Sequence, residues 1–496
     1  MLKGKAIDTI KTFSKEEYKR FEDFIASPYF NKSKRFVSLT AILKKFHPDL
    51  DSKTLTEEYV YGKIYGKNKF SYSLMKNLMA EYFKLCETFL IHDRVNRTLF
   101  TSTDNIIGLL EEYQMRDLDK AFNVRLKLAE DQLEESKFDS YYFDKKLAIV
   151  NFTLDNEFNK SSFKTPMVNA FIEKAFLELC RITNALYRNS NSIYYSSKEF
   201  NMSHENNIFF TFIKNIDINT ILKQINFSNT ENNFIIKIYL ELIQLIRDQK
   251  NEKNYFSVKK LIFEKINYFS NLEKFSLLNI LRNYCIDKIH DRNVKFKNEG
   301  NEINLKLLET VDFKKDKLDS LFGLIYLGTF LYAVGVKDFE FAEKFIEKNA
   351  PLLRNENRKD IYGYVRSYLE FEKGNFETAL VLLSDIDAFN MVYYTKIKNL
   401  YLKIYYEMGY YEEAFSMLDT YKHFLDNKKI LKESIKENLR DSIELFYKLF
   451  KIRSQPDKYS AYDVKEMEED ALSKSIETEN LWILKKIKQL YKIVDS

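Results

Sequence analysis

One pattern of residues occurs twice in the C-terminal third of the chain, as KGNFETA at residues 373–379 and as MGYYEEA at residues 408–414. In both copies a glycine is followed after two residues by an aromatic side chain and after five residues by an alanine. A glycine ends a helix readily because it adopts the left-handed conformation, and a small alanine lets a second helix approach the first closely. The pattern therefore predicts two helical hairpins, each with its bend at the glycine.

The spacing of these hairpins indicates a repeat. Ala379 and Ala414 are 35 residues apart, and a weaker copy, KDFEFA at residues 337–342, places its alanine 37 residues before Ala379. Leu383 and Leu418 each follow an alanine by four residues, where a side chain would fill the gap between neighbouring hairpins. The pattern resembles the tetratricopeptide repeat (TPR), a helix–turn–helix unit with a period of about 34 residues.

This resemblance covers residues 337–421 and departs from the family pattern in three respects. Lys337 replaces the glycine of the first copy, the tryptophan of the family near the repeat start is absent, and no proline closes each repeat. The resemblance implies an α-solenoid, in which helix pairs stack on one another and present an extended surface to a protein or peptide partner.

The composition favours a helical fold for the rest of the chain as well. Only 11 Gly and 5 Pro occur among 496 residues, too few for the turns of a β-sandwich or barrel. We therefore predict an all-α protein, with an N-terminal four-helix unit followed by an α-solenoid of TPR-like antiparallel helix pairs. The predicted divisions are an N-terminal helical domain at 1–95, a middle region of helix pairs at 105–310, TPR-like repeats at 317–455 and a C-terminal capping helix at 463–496.

Local signals place several of the helices. Ser14 and Glu17 have the spacing of a capping box at a helix start. In the middle region, Asn-rich segments at 189–192, 201–207 and 229–233 are expected to separate helices. Two apolar faces at helical spacing are formed by Phe171, Ala175, Leu179 and Ile182, and by Ile483, Ile487, Leu490 and Val494. The second face is typical of a helix that covers the last exposed repeat.

The whole chain also resembles a family of uncharacterised bacterial all-helical proteins of about this length. The similarity rests on four segments, SPYFN at 27–31, LMKNLM at 74–79, FIEKNAPLL at 345–353 and LKIYYEMG at 402–409. It implies a helical fold and no known activity.

Bulk properties limit the cellular setting. The net charge is +5, but residues 1–90 hold 17 Lys and Arg against 11 Asp and Glu, so the positive excess lies at the N-terminus. Three widely spaced cysteines and the lack of an apolar leader predict a cytoplasmic protein. The longest uncharged run, residues 321–336, would rise about 24 Å as a helix, which is short of the roughly 30 Å hydrocarbon core. We expect a buried helix there and no transmembrane span.

A search for chemistry finds no catalytic motif. The five histidines form no pair at metal-ligand spacing, and the best cluster, Cys285 with Asp287, His290 and Asp291, does not share one helical face. The segment GKIYGKN at 62–68 has too few residues between its glycines for a phosphate-binding loop. We therefore expect a protein that is not an enzyme, with no catalytic residue, no cofactor and no metal site.

The leading hypothesis is a protein-protein interaction scaffold or adaptor that binds a protein or peptide in a TPR-like groove. The groove would be lined by the first helix of each repeat. The candidate partner-binding residues are aromatic and basic side chains on the helices that precede Gly374 and Gly409: Tyr364, Arg366, Tyr368, Lys398, Tyr401 and Tyr405.

The alternative hypothesis is a nucleic-acid-binding regulator with a solenoid sensor region. A helix that ends at Gly66, a short basic turn and a helix that begins near Ser71 have helix-turn-helix proportions. The candidate nucleic-acid contacts are Lys67, Lys69, Ser71, Lys76 and Asn77. An ordinary helical hairpin with a lysine-rich solvent face explains the same residues.

Overall fold

The structure is a computed structural model that describes residues 2–66, 68–98, 103–159, 165–199, 208–227, 233–290, 293–386, 391–427, 433–473 and 480–494. Every regular element in these ranges is a helix, and none of them is a strand; one isolated bridge pairs Phe138 with Phe269. The prediction of an all-α fold is confirmed.

The chain divides into two compact units, Met1–Glu135 and Ser136–Ser496. The helices described in the first unit are α1 (Lys5–Lys11), α2 (Lys15–Ala26), α3 (Lys34–Lys44), α4 (Glu57–Tyr65), α5 (Tyr72–Thr98), α6 (Thr103–Gln114) and α7 (Asp119–Glu134). The four helices expected near the N-terminus correspond to α2–α5, and the short α1 precedes them.

The core of the first unit includes side chains from α2, α3 and α5. Helix α2 begins with the predicted capping box, in which the Glu17 amide donates to Ser14 Oγ at 3.1 Å and the Ser14 amide donates to Glu17 Oε2 at 2.9 Å. Phe21 and Tyr82 are fully buried, and the Tyr82 and Thr40 hydroxyls share a hydrogen bond of 2.7 Å. These contacts leave the opposite face of α5 exposed.

The second unit holds the other described α-helices. In its first half they are α8 (Ser140–Asn159), α9 (Thr165–Glu199), α10 (Ile208–Asn215), α11 (Ile218–Phe227), α12 (Asn233–Arg247), α13 (Glu252–Lys265), α14 (Asn271–His290) and α15 (Lys295–Thr310). In its second half they are α16 (Asp319–Gly335), α17 (Phe339–Asn349), α18 (Asn355–Lys373), α19 (Phe376–Ser384), α20 (Met391–Met408), α21 (Tyr411–Asn427), α22 (Glu433–Ser454), α23 (Ala461–Ser473) and α24 (Asn480–Val494).

The described residues of the second unit form two hydrophobic cores. One extends from Phe143 in α8 to Ile404 in α20, and the other extends from Leu402 in α20 to Leu490 in α24. Helix α20 contributes to both cores and packs against α18, α19 and α21. Contacts with three helices therefore fix the orientation of α20. This orientation positions the α20 side chains that remain outside the cores.

A buried carboxylate connects α14 to α9. Glu273 has no exposed surface and accepts hydrogen bonds from Asn184 Nδ2 at 3.1 Å, from the Tyr187 hydroxyl and from Arg188, which also forms an ion pair with it. A buried charge requires such compensation. Three donors within five residues of α9 give this cluster a structural role.

The two hairpin bends lie at the predicted glycines. Gly374, between α18 and α19, has φ 88°, and Gly409, between α20 and α21, has φ 74°. Ala379 and Ala414 are fully buried at the start of each second helix, and the Ser367 hydroxyl on α18 donates to the Ala379 carbonyl at 2.7 Å. The small alanine therefore allows the close helix approach that the sequence indicates.

The same turn geometry occurs at two bends without glycine. Lys337, between α16 and α17, has φ 62°, and Asp117, between α6 and α7, has φ 53°. At all four bends the next amide donates to the carbonyl five residues earlier, as in the Schellman motif. These bonds are Leu118 to Tyr113 (3.0 Å), Asp338 to Ala333 (2.9 Å), Asn375 to Glu370 (2.9 Å) and Tyr410 to Tyr405 (2.9 Å). The α6–α7 pair lies mostly in the region predicted to hold helix pairs, but no glycine pattern marks its bend at Asp117.

The uncharged run at 321–336 forms most of α16. Nine of the 17 residues of α16 are buried, including Phe322, Tyr326 and Phe330, and the helix packs against α15, α17 and α18. No helix in the described ranges has the length and apolar character needed to cross a membrane.

Candidate functional site

The predicted partner-binding residues lie on two helices that pack against each other. Helix α18 contacts α16 on one side and α20 on the other, so that the first helices of three successive hairpins are neighbours. Tyr364, Arg366 and Tyr368 belong to α18, and Lys398, Tyr401 and Tyr405 belong to α20.

The three candidates on α18 have different environments. Tyr364 is only 2% exposed, so packing accounts for it. Arg366 forms ion pairs with Glu347 at 3.2 Å and Glu343 at 3.8 Å, both on the preceding α17. Tyr368 is half-buried, with its ring centroid 6.1 Å from that of Phe330 on α16. None of the three presents a free polar group to a partner.

The three candidates on α20 share one face of the helix with Tyr394. Tyr394, Lys398, Tyr401 and Tyr405 are spaced by four, three and four residues, and all are half-buried. We call this set the α20 strip. The Lys398 amine lies 5.3 Å from the centroid of the Tyr394 ring and 5.8 Å from that of Tyr401, and the Tyr401 and Tyr405 rings are 5.8 Å apart.

Lys398 is the electrostatically distinctive member of the α20 strip. Burial lowers the pKa of its amine, because desolvation disfavours the charged form. It forms no ion pair with any residue that the structure describes, and the two tyrosine rings offer it only cation–π contacts. An anionic group placed beside this amine would compensate its partly desolvated positive charge.

Two tyrosines provide hydrogen-bond donors on the same face of α20 as this cation. Burial and the neighbouring Tyr405 and Asp385 raise the pKa of Tyr401 to about 12, and burial also raises the pKa of Tyr405. Both hydroxyls therefore stay protonated at neutral pH and can donate hydrogen bonds. A half-buried ammonium on the same helical face as two phenols can bind a carboxylate, while the rings contact apolar atoms next to that carboxylate.

Sequence reasoning missed Tyr394 as a member of this face. The available signal was its position four residues before Lys398, which continues the spacing of the other three side chains. Sequence reasoning also missed Lys403. This residue is 3% exposed, and its amine lies 5.7 Å from the Tyr368 ring centroid. Its amine also lies 6.0 Å from the ring of Trp482 on α24, 79 residues further along the chain, a contact that no local pattern reveals.

The candidate nucleic-acid contacts lie around the start of α5. Lys69, Lys76 and Asn77 are exposed, and Ser71 Oγ accepts from the Leu74 amide at 3.4 Å at the helix start. Lys67 lies outside the described residues. The described lysines project into solvent, as expected for a hydrated helix face as well as for phosphate contacts.

The cysteines are poorly suited to nucleophilic chemistry. Cys86, Cys180 and Cys285 are all buried free thiols, and burial raises the pKa of each to about 12. Each is a protonated thiol at neutral pH, whereas the thiolate is the reactive species. Within the described residues, no group of three or more His, Cys, Asp or Glu side chains could hold a metal ion.

Comparison of the chain with protein-family models, with curated proteins and with solved structures finds no match. The similarity to tetratricopeptide repeats therefore rests on the residues and hairpins of this chain alone.

Proposed function

We propose that the protein is a non-enzymatic interaction scaffold or adaptor that binds an acidic peptide segment of a protein partner along the α20 strip. In this proposal the hairpins α16–α17, α18–α19 and α20–α21 act as TPR-like repeats. Of their first helices, α20 carries the binding surface, and α16 and α18 support it.

The observation that carries the proposal is the half-buried Lys398 amine without a carboxylate partner in the described part of the chain. A lysine on an ordinary solvent face keeps its hydration, whereas this amine has given up part of it in exchange for weak ring contacts. A carboxylate from a partner would compensate that loss, and it would gain hydrogen bonds from Tyr401 and Tyr405.

The rest of α18 and α20 supports a rigid surface. Buried Tyr364 and the ion pairs of Arg366 hold α18 in place, and α20 is fixed by two cores. A preorganised surface loses little conformational entropy on binding. The buried residues on α18 thus support the strip, although the partner does not touch them.

This proposal is favoured over nucleic-acid binding by the first unit. Lys69 and Lys76 are exposed to solvent, so nothing in their environment calls for a ligand. The regulator hypothesis stays a prediction that rests on the basic composition of residues 1–90.

Affinity purification with a charge-reversed bait tests the proposal. The full chain, Lys398→Glu and the control Lys488→Glu are used as baits in the cells that make the protein, and captured proteins are quantified by mass spectrometry. Lys488 is exposed on α24 and undergoes the same charge change. We expect a partner that is reduced at least about tenfold on Lys398→Glu, consistent with the loss of one charge-assisted contact, and retained on Lys488→Glu.

Cross-linking of that partner should map an Asp- or Glu-containing segment to α20. The proposal is wrong if no captured protein distinguishes the Lys398→Glu bait from the wild type, or if the two charge reversals have equal effects.

A further inference from the structure

Helix α9 carries a regular apolar stripe that its own fold leaves on the surface. The stripe consists of aliphatic side chains whose spacing alternates between four and three residues: Val168, Ile172, Ala175, Leu179, Ile182 and Leu186. Val168, Ile172, Leu179 and Ile182 are 51%, 64%, 44% and 47% exposed, Ala175 is exposed, and Leu186 is half-buried. We call these six residues the α9 seam.

The core of the second unit uses another face of the same helix. Met167, Leu177, Cys180 and Tyr187 are buried, where α9 packs against α8 and α12. Single exposed aliphatic residues are normal on protein surfaces. Five exposed aliphatic residues and half-buried Leu186, in alternating four-three spacing over about 27 Å, are the pattern of a coiled-coil seam, which packs against another helix.

We propose that the α9 seam is a homodimerisation site, on which the α9 helix of a second copy of this chain packs in antiparallel orientation. In such a pair the two helices run in opposite directions, so a residue near the start of one seam faces a residue near the end of the other. Each facing pair forms one layer of the interface. The resulting layers are Val168 with Leu186, Ile172 with Ile182 and Ala175 with Leu179, and each occurs twice.

The side-chain sizes favour this antiparallel register. The two central layers each place small Ala175 opposite larger Leu179, so the volumes compensate. A parallel in-register pair would instead place Ala175 opposite Ala175 and leave a void at the centre, which is unfavourable in a packed interface. The seam is therefore complementary to itself when one copy is reversed.

The charges beside the seam also favour a second copy over a strongly charged partner. Glu178 pairs with Arg181 on the same helix at 2.9 Å, and Glu173 pairs with Lys146 of α8 at 3.4 Å. These acidic groups are neutralised within one chain, so bringing two seams together buries no uncompensated carboxylate. With Lys174 in the same helical row, two acidic and two basic residues of α9 border the seam, and this balance gives a strongly charged partner no electrostatic advantage.

The length of the seam sets the expected affinity. Six layers over about 27 Å form a smaller contact than the roughly 800 Å² per partner of a standard interface. We therefore expect a reversible dimer that forms at micromolar concentrations of the full chain.

Sedimentation velocity of the full chain over roughly 1 to 100 μM tests the dimer, because this range brackets a micromolar dissociation constant. The wild type should shift with concentration from its 59.4 kDa monomer toward twice that mass. The double variant Ile172→Glu with Leu179→Glu should stay monomeric over the whole range. Circular dichroism should show unchanged helix content, because both side chains are exposed.

A matched control separates the seam from a general effect of added charge. Val124 and Val381 are 67% and 65% exposed on α7 and α19, so Val124→Glu with Val381→Glu makes the same change outside the seam. This control should dimerise like the wild type. A wild-type monomer at 100 μM, or dimers that persist in the seam variant, would overturn the proposal.

Disulfide cross-linking tests the orientation. With Ile172→Cys and Ile182→Cys in one chain, oxidation should give a covalent dimer, because residue 172 faces residue 182 of the second copy. Either cysteine alone should give none, and the three native thiols are buried. A covalent dimer from a single variant would contradict the antiparallel arrangement.

Discussion

Lys337 adopts the left-handed turn conformation that the two following hairpins form with glycine. Its φ of 62° is in the left-handed region, where a side chain crowds the backbone, and Gly374 and Gly409 occupy the equivalent positions. The hydrogen bond from the Asp338 amide to the Ala333 carbonyl, at 2.9 Å, holds the bend in the same geometry. The turn of the α16–α17 hairpin therefore forms at a local cost in conformational free energy.

This cost predicts that Lys337→Gly stabilises the protein. Relief of the strain should outweigh the added freedom of the unfolded chain, and we expect a gain of roughly 0.5 kcal/mol or more. The shift of the urea midpoint, followed by circular dichroism, measures it. Gly374→Ala is the reverse change at an equivalent turn with no contact for the new methyl group, and it should destabilise by about 1 kcal/mol. Shifts of the same sign in both variants would contradict the explanation.

The residues of the candidate site show the limit of local reasoning. The spacing of Lys398, Tyr401 and Tyr405 on one face follows from helical periodicity alone. The burial of Tyr364 and the pairing of Arg366 with α17 follow from how α18 sits among its neighbours. Tyrosines and basic residues therefore have different environments on α18 and on α20.

At the scale of single helices, α9 differs most from the sequence prediction. The Asn-rich segment at 189–192 was expected to break the helix, but α9 continues through it to Glu199. Ser190 is 1% exposed, and the nearby bonds from Asn184, Tyr187 and Arg188 to Glu273 fix this part of the helix to α14. Tertiary contacts here override a weak local preference.

Helix α24 agrees with the prediction of an apolar stripe. Ile483, Ile487 and Leu490 are fully buried, and the helix packs against α22 and α23. Lys486 forms an ion pair with Glu407 of α20 at 2.6 Å. The single tryptophan, Trp482, lies on the same helix with its ring centroid 5.3 Å from that of Tyr406.

We expect Ile487→Ala to destabilise this end of the second unit by about 2–4 kcal/mol, because it leaves a cavity in a packed core. The measurement is the urea-induced red shift of Trp482 fluorescence, which should move to lower urea. Exposed Lys488→Ala on the next position should change stability by less than about 0.5 kcal/mol. Equal shifts in the two variants would show that α24 is not packed as described.

At the scale of the whole chain, the first unit has a core of its own. This core extends from Leu2 to Phe89 and includes side chains from the first five helices. Tyr82 and Phe89 of α5 are fully or almost fully buried in it. A unit with its own core of this kind is expected to fold independently.

The fragment of residues 1–135 should therefore be helical and unfold cooperatively. Circular dichroism at increasing temperature measures this, and the fragment of residues 1–66, which lacks α5, is the control. The shorter fragment should show no cooperative transition because it lacks Tyr82 and Phe89. A gradual loss of signal from the longer fragment would contradict independent folding.

Local patterns were sufficient for the helical class, the bends at Gly374 and Gly409 and the capping box at Ser14, because each depends on residues within a few positions of one another. The same reasoning could have found Tyr394, whose spacing continues that of Lys398.

Long-range packing decided which face of each helix is buried. It enclosed Tyr364 and left the α9 seam exposed, although the seam is as apolar as a core face. These outcomes depend on neighbouring helices that are distant in the chain. Desolvation and burial are properties of the assembled core, whereas helical periodicity belongs to the segment itself.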